Sequence, residues 1–117
     1  MGLRLAAGDE ALPSAARGAG THVSGPVAPA GVATDVLLLV HVSATSGTPT
    51  LNASLEESAD GSSGWTAVPG SSITQLTAAG NATANAAVTK NFVRVTSTVA
   101  GTTPSVTYRA TVLVVPT

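Results

Sequence analysis

Residues 91–115 read NFVRVTSTVAGTTPSVTYRATVLVV, two β-rich runs on either side of the Gly- and Pro-bearing AGTTP at Ala100–Pro104. β-branched residues and Tyr108 dominate both runs, and consecutive strands usually pair, so the stretch predicts a hairpin. With Thr98 facing Ser105, one face collects Val93, Val95, Val99, Val106, Tyr108, Ala110, Val112 and Val114 as core. The same register sets Arg94 opposite Arg109 on the outer face, where facing like charges are unfavourable. The pair calls for an anion: an intramolecular carboxylate such as Glu56 or Glu57, solvent, or an acidic patch on a neighbouring subunit.

The pattern continues upstream. DVLLLVHVSA (Asp35–Ala44) is apolar on both faces at first, as a central sandwich strand would be. TLNASLEES (Thr50–Ser58) alternates, with Leu51, Ala53 and Leu55 on one side and Asn52, Ser54 and Glu56 on the other; SGTP (Ser46–Pro49) between the two runs reads as a turn. Further strands are expected around Trp65, around Ile73 and Leu76, and more weakly over residues 82–89. About seven short strands with frequent turn signals predict an all-β fold, an antiparallel β-sandwich of Ig-like or jelly-roll-like kind. No helix of useful length is apparent, which argues against Rossmann, TIM-barrel and bundle architectures.

Before this region the character changes. AARGAGTHVSGPVAPAGVA (Ala15–Ala33) carries Gly or Pro every few residues, so neither a helical stripe nor a long strand is expected to persist. Residues 1–33 are read as an extended N-terminal arm and residues 34–117 as the sandwich domain. Leu3, Leu5, Val23, Val27 and Val32 are the candidate apolar anchors of an arm that docks on a partner, with Pro26 and Pro29 stiffening it. On this reading the arm could be deleted without unfolding the sandwich.

Composition narrows the function. Charged residues are 9% of the chain and hydrophobic ones 44%, so the surface is covered by Ser, Thr, Asn and small apolar side chains, which suits lasting contact with neighbours. A formal net charge of -1 and aromatic content of 3% argue against nucleic acid as a partner. The absence of cysteine excludes disulfides and thiolate metal sites. The N-terminal residues show no signal-peptide core, and the longest apolar run, Val36–Val40, is too short to cross a bilayer; a protein made in the cytoplasm, with no membrane association, is expected.

Chemistry-bearing residues are scattered. His22 lies in the arm and His41 in an apolar strand, so no metal site is expected. Glu56 and Glu57 point to opposite faces of a strand and cannot act as a carboxylate pair. Asp60 sits in ESADGSSGW (Glu57–Trp65), which lacks the repeated acidic positions of a calcium loop and reads as a turn that returns Trp65 to the core as its largest side chain. With no GxSxG, no phosphate-binding glycine loop and no nucleophile beside a base, the chain is expected not to be an enzyme and to use no cofactor.

The run LEESADGSSGWTAVPGSSITQLTAAG (55–80), followed by NFVRVTSTVAGTTPSVTYRATVLV (91–114), resembles small β-sandwich virion proteins of tailed bacteriophages, the capsid decoration or minor capsid proteins. The likeness spans residues 36 to about 115 and rests on structural motifs. It implies binding to the outer surface of an assembled capsid, with the major capsid protein as partner, self-association as a homotrimer, and location in the virion. A tail or fibre component, and a carbohydrate-binding or adhesion module using Trp65 and Tyr108, are the alternatives.

Overall fold

The computed structural model describes residues 9–25 and 34–115, with the backbone alone for residues 9–11, 34 and 114–115. The described chain is all-β and antiparallel. Its strands are β1 (Asp9–Gly18), β2 (Gly20–Val23), β3 (Thr34–Ser58), β4 (Thr66–Ala67), β5 (Gly80–Val88) and β6 (Phe92–Val115). The frame is the pairing of β3 with β6, which runs without a chain reversal from Asp35↔Val115 to Ser58↔Phe92.

The two expected turns are therefore corners. Neither Ser46–Pro49 nor Ala100–Pro104 turns the chain back; each lies inside a long strand, of 25 residues in β3 and 24 in β6. At about 3.3 Å per residue a straight strand of this length would span roughly 80 Å. The longest dimension of the molecule is 42 Å, so the ribbon folds over on itself. A buried hydrogen bond marks the fold: Ser97 Oγ lies 2.6 Å from Tyr108 Oη although the two residues are 11 positions apart on one strand.

Folding the ribbon creates two layers. One contains the first half of β3 and the second half of β6, flanked by β5 and β1; the other contains the remaining halves, flanked by β4 and β2. Their inner faces form one hydrophobic core. In β3 the buried positions change from Val36, Leu38, Val40 and Val42 to Leu51, Ala53 and Leu55, and in β6 from Val93, Val95 and Val99 to Val106, Tyr108, Ala110 and Val112. The shift from even to odd positions in β3, and the reverse in β6, follows from register shifts at Val42/Ala44 and Ser46/Thr48, because inserted residues move the side-chain alternation out of phase. The expected core face of β6 is thus correct for every residue whose side chain is described, although the hairpin that was to produce it is not formed.

Glycine is required at the corner. Gly47 has φ +71 and Gly101 φ +121, a region that L side chains rarely adopt. A Cβ at Gly47 would fall on the Thr103 carbonyl oxygen, and one at Gly101 on that of Thr48, so each strand blocks a side chain on the other.

The N-terminal segment differs most from expectation. Residues 9–23, assigned to the extended N-terminal arm, form edge strands: β1 pairs with the second half of β6, and β2 with the first half. An edge strand bonds on one side only and needs few apolar side chains, so small residues suffice; Pro13 lies beside the register shift between Leu12 and Ala15, where a missing N–H is tolerated. Removal of residues 1–33 would strip an edge from both layers. Leu3, Leu5, Val27 and Val32 lie outside the described residues.

The strands expected around Trp65 and Ile73 are largely replaced by a segment that follows the edge of β3 irregularly. It is held by Val68 N–H to Leu55 O at 3.0 Å, Ile73 N–H to Ala53 O at 3.0 Å and a reciprocal pair between Leu51 and Leu76. Pro69 and Gly70 interrupt it, and Ser71 Oγ accepts the Leu55 N–H in place of a backbone carbonyl.

Gly47→Ala and Gly101→Ala are each expected to lower unfolding free energy by more than about 2 kcal/mol in urea melts, through left-handed strain and the backbone clash. Gly18→Ala, where a Cβ would make an ordinary 3.9 Å contact, is expected to change stability little.

The Tyr108 phenol is held above its ordinary pKa, chiefly by burial, with the Ser97 hydrogen bond and the Arg17 charge acting against the shift. The folded state then retains a proton that the unfolded state releases, so this contribution is complete below the ordinary phenol value of about 10 and is lost as pH rises beyond it. Tyr108 is the only tyrosine. Tyr108→Phe should cost about 1–2 kcal/mol at neutral pH and reduce the alkaline loss of stability, as read from melts at a series of pH values.

Candidate functional site

The candidate site residues fall on different faces. Arg94 and Arg109 do not face each other, because β6 carries them in opposite layers. Arg94 stands opposite Glu56 and Arg109 opposite His41 in the β3–β6 register. The expectation of a shared anion between the two arginines is therefore corrected. Val23, the one expected anchor whose side chain is described, is 43% exposed on β2 opposite Thr96.

Arg94 has an intramolecular partner. Its Nε donates to Glu56 Oε1 at 2.8 Å, and its guanidinium carbon lies 4.3 Å from the centre of the Trp65 ring. Both members of the ion pair are 26% exposed, so the pair is of the modest surface kind and the cation–π contact adds a similar amount. Trp65 is half-buried outside the core cluster, a correction to its expected place at the centre. The Gly61 and Gly64 turns bring it back onto Arg94 rather than between the layers. Tyr108 is the largest fully buried side chain instead.

Beside this group, on the outer face of the second layer, lies a cleft of about 140 Å³ lined by Asn52, Ser54, Ser72, Thr96 and Thr98 with Ala53 and Ile73. Asn52 pairs with Thr98 and Ser54 with Thr96, so two adjacent strands alternate core residues inward with hydroxyl and amide groups outward. The cleft is smaller than the roughly 300 Å³ and upward of ordinary small-molecule pockets. It is suited to one polar side chain of a partner or a single sugar ring.

Several other ionisable groups bond within the fold. Arg17 on β1 donates to Tyr108 O at 2.7 Å and Pro13 O at 2.6 Å, and its guanidinium lies 4.6 Å from the centre of the Tyr108 ring. Ser97 Oγ donates to His22 O at 3.0 Å; its single hydrogen is then used, so the Tyr108 hydroxyl donates to Ser97. Glu57, buried, accepts the Thr89 N–H at 2.9 Å. His41 Nδ1 donates to Asn81 Oδ1 on the neighbouring strand.

Asp60 Oδ1 accepts N–H groups from Ser62 and Ser63, each at 3.0 Å, and Oδ2 accepts the Ser63 hydroxyl at 3.1 Å. These bonds, the two backbone amides first, hold its carboxyl well below the usual carboxylate range. The carboxylate closes its own loop. Among the described residues, no three His, Cys, Asp or Glu side chains gather as a possible metal site.

Sequence reasoning placed Asn52, Ser54 and Glu56 on one outward face. It missed Arg17 and the other wall of the cleft, since Ser72 arrives through an irregular segment with no periodic signal. The chain matches no protein-family model, and no curated protein matches it.

Arg94→Ala is expected to uncover the only tryptophan, raising acrylamide quenching of Trp65, at a cost of about 1 kcal/mol. Unchanged quenching would show that the guanidinium does not shield the ring in solution.

Proposed function

We propose that this protein is a structural virion component that binds the outer surface of a tailed-phage capsid and reinforces contacts between major capsid subunits. The observation that carries this reading is the use made of its sparse charges. Arg17, Arg94, Glu57 and Asp60 tie the chain to itself, through strand carbonyls, an opposite carboxylate, a turn amide and loop amides respectively. Apart from the Arg94–Glu56 pair, the described outer face of the second layer presents the neutral hydroxyl and amide groups of Asn52, Ser54, Thr96 and Thr98. Such a surface makes many weak contacts that symmetry repeats, and shape and number rather than a few ion pairs would hold it on a lattice.

A carbohydrate-binding module is the second reading, favoured by the half-exposed Trp65 near a hydroxyl-lined cleft. Tyr108 takes no part in it, because its ring is buried in the core.

Quantitative mass spectrometry of purified virions is the test. The expected result is a fixed, simple ratio of this chain to the major capsid subunit. A handful of copies per particle would place the protein in the tail or at a vertex, and absence from virions would overturn the virion reading and favour glycan binding.

A further inference from the structure

The edges of the folded sheet are protected unequally. β1 carries two register shifts, Pro13 and Arg17. These are the devices by which natural edge strands resist pairing with other chains. β4 is only 2 residues long. β5 has none of these features: its 9 residues, GNATANAAV, pair with β3 at every position from Thr34↔Val88 to Val42↔Gly80 without a register shift, and contain neither charge nor proline. Among the described residues, no strand pairs with its outer edge.

We propose that β5 is a self-association edge, pairing antiparallel with β5 of a second copy about a two-fold axis at Ala84. The strand is self-complementary in that register. On the core-facing side Ala84 meets Ala84 of the second copy and Ala82 meets its Ala86; on the outer side Thr83 meets Asn85 of the second copy, and Asn81 its Ala87. No like charges oppose each other, and the Thr–Asn pairs can hydrogen-bond across the junction. Ala82 and Ala84, partly buried against the core, would gain cover from the equivalent alanines. The first layers of two copies then form one continuous sheet, an isologous arrangement in which each copy completes the other's edge. This surface does not depend on which larger assembly the protein joins, and it makes a pair, rather than a trimer, the unit of self-association.

The chain contains no cysteine, which makes a cross-linking test clean. A residue on the axis of an antiparallel pair lies about 4.5–5.5 Å, Cα to Cα, from its equivalent, within disulfide range. The full-length protein is expected to sediment as a dimer, and Ala84→Cys to form a covalent dimer on mild oxidation. Joint Thr83→Lys and Asn85→Lys, which oppose lysines across the junction on exposed positions, should weaken dimerisation at least about tenfold while the circular dichroism spectrum stays that of the native sheet. A monomer at every concentration tested would overturn the proposal, as would an oligomer that neither cross-links at position 84 nor responds to the lysines.

Discussion

The hydroxyls of Ser97 and Tyr108 lie 2.6 Å apart across the inside of a strand that, if straight, would hold them more than 30 Å from each other. The remaining architecture depends on the fold that brings them together. It converts a two-stranded ribbon into both layers of a sandwich and gives the core its opposing walls. It also places the Tyr108 phenol where it donates to the Ser97 hydroxyl, which in turn donates to the His22 carbonyl. A tyrosine so enclosed would be costly without those partners, so the polar chain and the apolar packing are interdependent.

The corner explains the distribution of special residues. Gly47 and Gly101 lie where β3 and β6 approach too closely for side chains, while Gly18, Ala19 and Gly20 carry the N-terminal edge past the same corner by a shorter path. Five residues of β6, Ala100–Pro104, separate the partners of Gly20 and Gly18. This difference in path length is what bending a sheet demands, and small residues permit it. A sheet bent in this way has its edges on two layers, which is why the contrast between the interrupted β1 and the regular β5 bears on assembly.

Much of the core was legible because burial imposes a period of two on strands. Leu51, Ala53 and Leu55, and the inward residues on both halves of β6, could be picked out by alternation alone. The N-terminal strands were not legible, since an edge strand of Ala, Gly and Pro meets its backbone bonding needs from a neighbour far away in sequence. Trp65 was misplaced for a related reason. Size and hydrophobicity favour burial, but a planar ring is equally well covered by a guanidinium, and the stacking partner comes from a distant strand. The cleft was half legible, through the outward Asn52 and Ser54, and half hidden in the irregular wall that carries Ser72.

By itself, the sequence determined that this protein is all-β and antiparallel, which residues of its longest runs face inward, and that its surface is poor in charge. Those properties follow from local chain geometry and composition. Whether a Gly/Pro interruption reverses the chain or bends it is a different matter, because both need the same departures from the pleat. Only the tertiary structure decided that Ser46–Pro49 and Ala100–Pro104 are corners, that Arg94 meets Glu56 rather than Arg109, and that residues 9–23 belong to the sheet. Each of these depends on which distant backbone supplies the partner, and local pattern carries no record of that choice.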